Sequence, residues 1–164
     1  MKIVNLEGYT TNPGDLSWEP FKKYGDFVVY DRTKPEDIIE RAKDADCLII
    51  NKSIITKEHL EQLPKLKYVG LQSTGYNVID CDAAKERGIV VSNIPAYSTA
   101  AVAQLVFALI MQYTNKVTVH SDAVHNGEWT KCPDFCFWKS PLAELDGKTI
   151  GIIGFGSIGQ RVAN

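Results

Sequence analysis

Long apolar runs are missing from this sequence. The most apolar window, Ala100 to Met111, is broken by Gln104 and is too short for a bilayer-spanning helix. The first residues reach polar Asn5 and Glu7 too soon for a signal peptide, so a cytoplasmic protein is expected. An excess of one charge is missing as well. The net charge is −2 and the pI about 5.9, which leaves no basic footprint for nucleic acid or an anionic membrane. Histidine and cysteine are scarce. His59, His120 and His125 fall in helical or linker contexts, and Cys132 and Cys136 are spaced C-x-x-x-C, neither a zinc knuckle nor a C-x-x-C redox pair. The reading is no metal centre and four reduced thiols, with Cys47 buried in an apolar run.

What is present is a regular alternation of strands and helices. Lys2–Leu6, Phe27–Tyr30, Cys47–Ile50, Tyr68–Leu71 and Ile89–Val91 are short apolar runs, continuous rather than alternating. Helices are predicted between them: from an Asp15 cap through Tyr24, over Asp37–Ala42, over Thr56–Leu63 and over Asp82–Arg87. Continuous apolar strands separated by helices predict a parallel sheet covered on both faces, an α/β flavodoxin-like doubly wound domain. This substrate domain is expected to span residues 1–98.

A long helix follows. Val102, Leu105, Val106, Leu109, Ile110, Tyr113 and Val117 keep helical spacing, with Ser98 or Thr99 as the cap and Asn126-Gly127 as the stop. At 1.5 Å per residue it would be roughly 40 Å long, either a link between two domains and a subunit contact or a plain core helix. The aromatic-rich stretch Trp129–Trp138 has no helix or strand period and reads as an interface or cleft wall.

The apolar run Ile150–Ile153 leads into Gly154-Phe155-Gly156-Ser157-Ile158-Gly159, after which Gln160-Arg161-Val162-Ala163 opens a helix. A G-x-G-x-x-G string between a strand and a helix is the dinucleotide-binding pattern. Gly154 allows the tight turn, Gly156 lets a pyrophosphate approach the backbone, and Gly159 permits close helix–strand packing. Residues 99–164 thus read as the start of a Rossmann domain. The acidic residue that holds a ribose is expected roughly 20 positions beyond the loop, so a larger enzyme is expected and NAD and NADP stay undecided.

In an open parallel sheet, ligands bind beyond the carboxyl ends of the strands. The fourth run ends in Gln72-Ser73-Thr74-Gly75-Tyr76-Asn77, where small residues would let backbone N–H groups converge on a carboxylate, though Ser-Thr-Gly is also ordinary turn chemistry. The third ends in Asn51-Lys52-Ser53, where Lys52 is either a cation for an acidic substrate or a solvated side chain. A receiver-like module would need an aspartate where Asn51 stands, and a flavin phosphate loop would avoid Pro13.

The runs Ser73–Asp80, Ala83–Pro95, Val102-Ala103-Gln104 and Gly147–Gly159, in this order and spacing, resemble the D-isomer-specific 2-hydroxyacid dehydrogenases. Asn12–Trp18 and Pro133–Trp138 resemble most the glycerate dehydrogenase (hydroxypyruvate reductase) branch. The resemblance implies that the Thr74 and Gly75 backbone, with Ser73 beside it, holds the substrate carboxylate of a small 2-hydroxy or 2-keto acid. It implies that Thr74 and Val102 lie near a nicotinamide and that Ser157 and Ile158 lie along the pyrophosphate of NAD or NADP. It also implies a homodimer through the long helix and the cofactor domain. Gln104 stands where the family usually has Glu. The family's catalytic arginine, glutamate and histidine have no counterpart here, so no acid–base role falls on any residue present and these 164 residues alone are expected to be inactive. The rival is a dimeric NAD-sensing regulator of the same fold, co-repressor-like and without turnover.

Overall fold

Five short strands run parallel in the order β2-β1-β3-β4-β5 in the computed structural model, which describes Met1–Asn164. They are β1 (Lys2–Asn5), β2 (Asp26–Val29), β3 (Cys47–Ile50), β4 (Tyr68–Leu71) and β5 (Val90–Ser92). The register aligns Val28, Val4, Leu48, Val69 and Val91 in one row across the sheet. This row and its companions Leu6, Ile50 and Leu71 meet three helices: α2 (Ile38–Ala42), α3 (Lys57–Glu61) and α4 (Cys81–Glu86). Leu6, Leu48, Ile50, Ile55, Leu60 and Leu63 are wholly buried there. Each such side chain stabilises the fold by about 1.5–3 kcal/mol through burial. Helix entry is fixed by local capping: Thr56 and His59 form a reciprocal capping box, and the Asp80 carboxylate accepts the Ala83 N–H at 2.9 Å.

Helices stand on both faces of the sheet, as expected, but unequally. Only α1 (Glu19–Lys22) returns on the second face, because right-handed crossovers carry the other three helices to the first. There Phe21 stacks on Phe27 at 4.9 Å and Trp18 tilts against the same ring. Further along that row cover thins out. Cys47 is half-buried rather than buried, Tyr68 is 38% exposed and Val90 is 61% exposed. The predicted helix from Asp15 to Tyr24 also shrinks to four residues, and Asp15 caps nothing. The reason is Asn12: its Oδ1 accepts the N–H groups of Gly14 and Leu16, and its Nδ2 donates to Leu16 O at 2.8 Å, closing residues 12–16 into a loop.

The chain divides into two compact units, Met1–Pro95 and Ala96–Asn164. In the second unit the predicted long helix is two helices, α5 (Thr99–Asn115) and α6 (Val117–His125). The break is Lys116, left-handed at φ 48°. Just before it the Thr114 hydroxyl donates to Ile110 O at 2.9 Å, a back-bond that competes with regular helix geometry. Neither Ser98 nor any other side chain caps the start of α5. Helix α7 (Ser157–Ala163) packs along α5. The predicted strand Ile150–Ile153 is not formed: the second unit contains no strand to complete a ladder, and Ile150 and Ile153 are exposed. No helix is long and apolar enough to cross a membrane.

Candidate functional site

At the carboxyl edge of the sheet, three adjacent loops are tied together. Strand β3 pairs with β4 up to Ile50 and Leu71, and Gln72 N–H continues the ladder to Ile50 O, so Lys52 and Ser73 leave the sheet side by side. The loop after β4 is braced by the segment after β5. Ile94 N–H donates to Ser73 O at 3.0 Å, Asn93 Nδ2 to Thr74 O at 2.7 Å, and the Thr74 hydroxyl to Ile94 O at 3.0 Å. Ser73 is buried, and its hydroxyl closes on Gly75 O at 2.8 Å, so its side chain shapes the loop rather than facing outward.

This bracing uses the carbonyls and side chains and leaves the amides free. The N–H groups of Thr74 and Gly75 donate to no acceptor of the chain, and both residues are exposed. Two successive free amide donors on a loop held by three hydrogen bonds to the segment after β5 are suited to donate to a carboxylate. Lys52 is exposed on the neighbouring loop and takes part in none of the chain's ion pairs.

The residue that sequence reasoning passes over is Glu7. It stands two residues beyond the end of β1, with 9% of its surface exposed. Its Oε2 accepts the N–H groups of Asn51 at 2.5 Å and Lys52 at 2.6 Å, and its Oε1 accepts the Ser53 hydroxyl at 2.8 Å. Its own N–H donates to Asn5 Oδ1 at 3.0 Å. The available signal was position: an acidic residue immediately after an apolar run, at the same edge as Asn51-Lys52.

In the second unit the glycine loop is formed although its strand is not. Gly154 has φ 93°, a conformation that side chains rarely adopt. Gly156 is the extended residue that caps α7. A Cβ on Gly159 would lie 2.2 Å from Gly154 O and 3.3 Å from Ile152 Cγ2, so only glycine lets the helix sit this close to the incoming chain. The N–H groups of Ser157, Ile158 and Gly159 find no acceptor, as at any helix start. These residues fit a bound diphosphate: free donors, no Cβ on the approach, and a helix dipole of favourable sign. Val102 lies in the first turn of α5, its side chain partly exposed.

An open parallel sheet with a braced loop at its carboxyl edge, followed by a glycine loop opening a helix, defines an α/β protein of dehydrogenase type. The sequence family described as D-isomer specific 2-hydroxyacid dehydrogenase, catalytic domain, matches residues 9–151. The chain belongs to that family. It is 49% identical over 163 residues to a hydroxypyruvate reductase of Blautia hydrogenotrophica, covering 98% of this chain and 51% of the relative. It is 35% identical over 150 residues to a glycerate dehydrogenase of Methylorubrum extorquens, covering 91% of this chain and 48% of the relative. Among solved structures it is similar to an acyclic imino acid reductase in complex with NADPH and D-arginine, with a TM-score of 0.73 at 36% identity, covering 99% of this chain and 52% of that one. The chain thus spans about half the length of the curated relatives it matches.

Proposed function

We propose that this chain is the substrate-binding and first cofactor-binding portion of an oxidoreductase that interconverts small D-2-hydroxy acids and 2-keto acids, glycerate and hydroxypyruvate in particular. Residues 1–98 serve as the substrate domain and residues 99–164 as the start of the NAD(P)-binding domain. The observation that carries the reading is the braced loop at Thr74–Gly75 with its two free amides. They take the substrate carboxylate, and Lys52 on the adjacent loop adds a positive charge that favours an anionic substrate. Gly154, Gly156, Ser157, Ile158 and Gly159 take the diphosphate of NAD or NADP, and the family resemblance assigns Thr74 and Val102 to the nicotinamide. When bound, the dinucleotide exchanges a hydride with C2 of the acid. Names of relatives support the substrate class, and the bound NADPH of one structural neighbour supports the cofactor class.

No residue of this chain is assigned the proton transfer. These 164 residues by themselves therefore neither turn over substrate nor bind NAD tightly. In the cell the enzyme is cytoplasmic and dimeric, joined through α5 and the cofactor domain. The decisive assay uses the full-length enzyme that carries this chain, with hydroxypyruvate and NADH or NADPH. Oxidation of the reduced cofactor supports the reading. Cofactor binding without turnover of any small 2-keto acid replaces it with a nicotinamide-sensing regulator of the same fold. Turnover by the 164-residue chain alone overturns the assignment of proton transfer to residues outside it.

A further inference from the structure

We propose that Glu7 is a positioning residue for the substrate edge: its carboxylate stands in for an external anion in the crevice between β1 and β3 and pins the loop that carries Lys52. The proposal rests on the reading of Lys52 and Thr74–Gly75 as substrate residues.

The strand order places the topological switch between β1 and β3, because the chain leaves β1 toward β2 on one side and enters β3 on the other. In open α/β sheets this crevice is where ligands bind. Here its donors already have an acceptor. Two successive amides, Asn51 and Lys52, converge on one oxygen of Glu7, and the Ser53 hydroxyl takes the other. Successive amides converging on one oxygen make the anion-binding pattern of a backbone nest, filled from within. The filling group is itself fixed, since Asn5 holds the Glu7 amide and is wholly buried. Asn51 Nδ2 reaches across to the Thr10 hydroxyl at 3.3 Å, adding a second tie between the same two loops.

Two consequences follow for an anionic substrate. Free amides lie outside the crevice, at Thr74 and Gly75, one strand beyond β3 in the sheet. The Glu7 charge also opposes a second anion settling in the crevice, which directs the substrate carboxylate toward the Thr74–Gly75 loop. Lys52, its own backbone locked by Glu7, presents its ammonium from a fixed base beside that loop.

The test uses the full-length enzyme and three forms. Glu7→Gln keeps an oxygen for both amides and offers an N–H to the Ser53 hydroxyl, so it preserves shape and removes charge. Glu7→Ala removes both and opens a pocket the size of a small carboxylate. For Glu7→Ala the expected result is a KM for the 2-keto acid raised about tenfold with kcat within about twofold, the signature of lost uniform binding. Formate at tens of millimolar should restore most of that loss and leave the wild type unchanged. Glu7→Gln should fall between the two. A folded Glu7→Ala enzyme with wild-type KM, or a raised KM that formate does not move, overturns the proposal.

Should Glu7→Ala fail to fold, amide exchange in the wild-type 164-residue chain decides. Asn51 and Lys52 should exchange at least about tenfold more slowly than Thr74 and Gly75, and faster in Glu7→Gln than in the wild type. Equal exchange at all four overturns the pinning. A wild-type enzyme that binds no 2-keto acid at all instead overturns the functional reading, and the exchange order then still reports on Glu7 separately.

Discussion

A Cβ placed on Gly159 would stand 2.2 Å from the carbonyl oxygen of Gly154, well inside any real contact. The obstacle is backbone, which cannot swing away as a flexible side chain would. Gly159→Ala must therefore push α7 off the glycine loop or unwind its first turn. The expected cost to cofactor affinity is about tenfold or more, since displaced donors lose their aim at the diphosphate. Fluorescence titration of the full-length enzyme with NADH measures it. An unchanged dissociation constant would show that the loop does not hold the cofactor in this geometry.

The brace on the anion loop is open to a similar argument. Asn93 Nδ2 donates to Thr74 O at 2.7 Å, and removing it frees the loop without touching the amides proposed to hold the substrate. For Asn93→Ala, KM for the 2-keto acid should rise about fivefold while kcat stays within about twofold. Steady-state kinetics settle the point, and a fall in kcat at constant KM would place Asn93 in the chemistry instead.

How far the sequence alone reaches is best seen at its successes and misses side by side. All five strands and their parallel order class were legible, because strands that pack a row such as Val4, Leu48 and Val69 must be apolar. The glycine loop was legible because φ 93° at Gly154 and the contact at Gly159 each demand glycine. The break at Lys116 was not. The apolar spacing runs straight through it, and the signal is a threonine back-bond rather than a glycine or proline. The missing strand at Ile150–Ile153 was hidden for another reason: a run of apolar residues states a preference, while a ladder needs a neighbour. Glu7 offered only its position after an apolar run, because two of its partners are backbone amides 44 and 45 residues away, which carry no sequence mark.

Asp46 gives a pH-dependent prediction. Lys2 N–H donates to its carboxylate at 2.8 Å, and this bond, with Lys67 nearby, holds the Asp46 carboxyl below the usual aspartate range. A depressed folded-state value means the contact stabilises the fold above the ordinary value of 3.8, and that this contribution is lost as pH falls through the lower folded-state value. Asp46→Asn should therefore be less stable than the wild type at neutral pH, and the two should converge as acid protonates the Asp46 carboxyl in the folded protein. Urea melts at neutral and acidic pH compare them. A gap of constant size would mean the asparagine loses something other than charge.

Cys47 should be the slowest thiol to react. Burial, with the Asp46 charge as a smaller cause, pushes its pKa up to about 11. At pH 8 only about one molecule in a thousand then carries the thiolate, the reactive form. Cys81 and Cys136 are exposed. Iodoacetamide at pH 8, followed by peptide mass spectrometry, should label both of these well before Cys47. Early labelling of Cys47 would show that the thinly covered face of the sheet opens readily in solution.

The exposed side of α5 supplies the last prediction. Leu105, Leu109 and Tyr113 follow one another on one side of the helix at i, i+4 spacing, 57%, 62% and 81% exposed. A contiguous apolar stripe of this kind is the mark of an interaction surface. The proposed homodimer through α5 would cover it with the same stripe of a second copy, as a twofold interface requires. Sedimentation of the 164-residue chain should then show self-association that Leu105→Glu with Leu109→Glu weakens about tenfold or more, at unchanged helix content by circular dichroism. The two glutamates lie on solvent-facing positions, so a loss of association together with a loss of helix would point to unfolding. Association that persists in a folded double variant would move the contact elsewhere, with the exposed Ile150, Ile153 and Phe155 the next surface to alter.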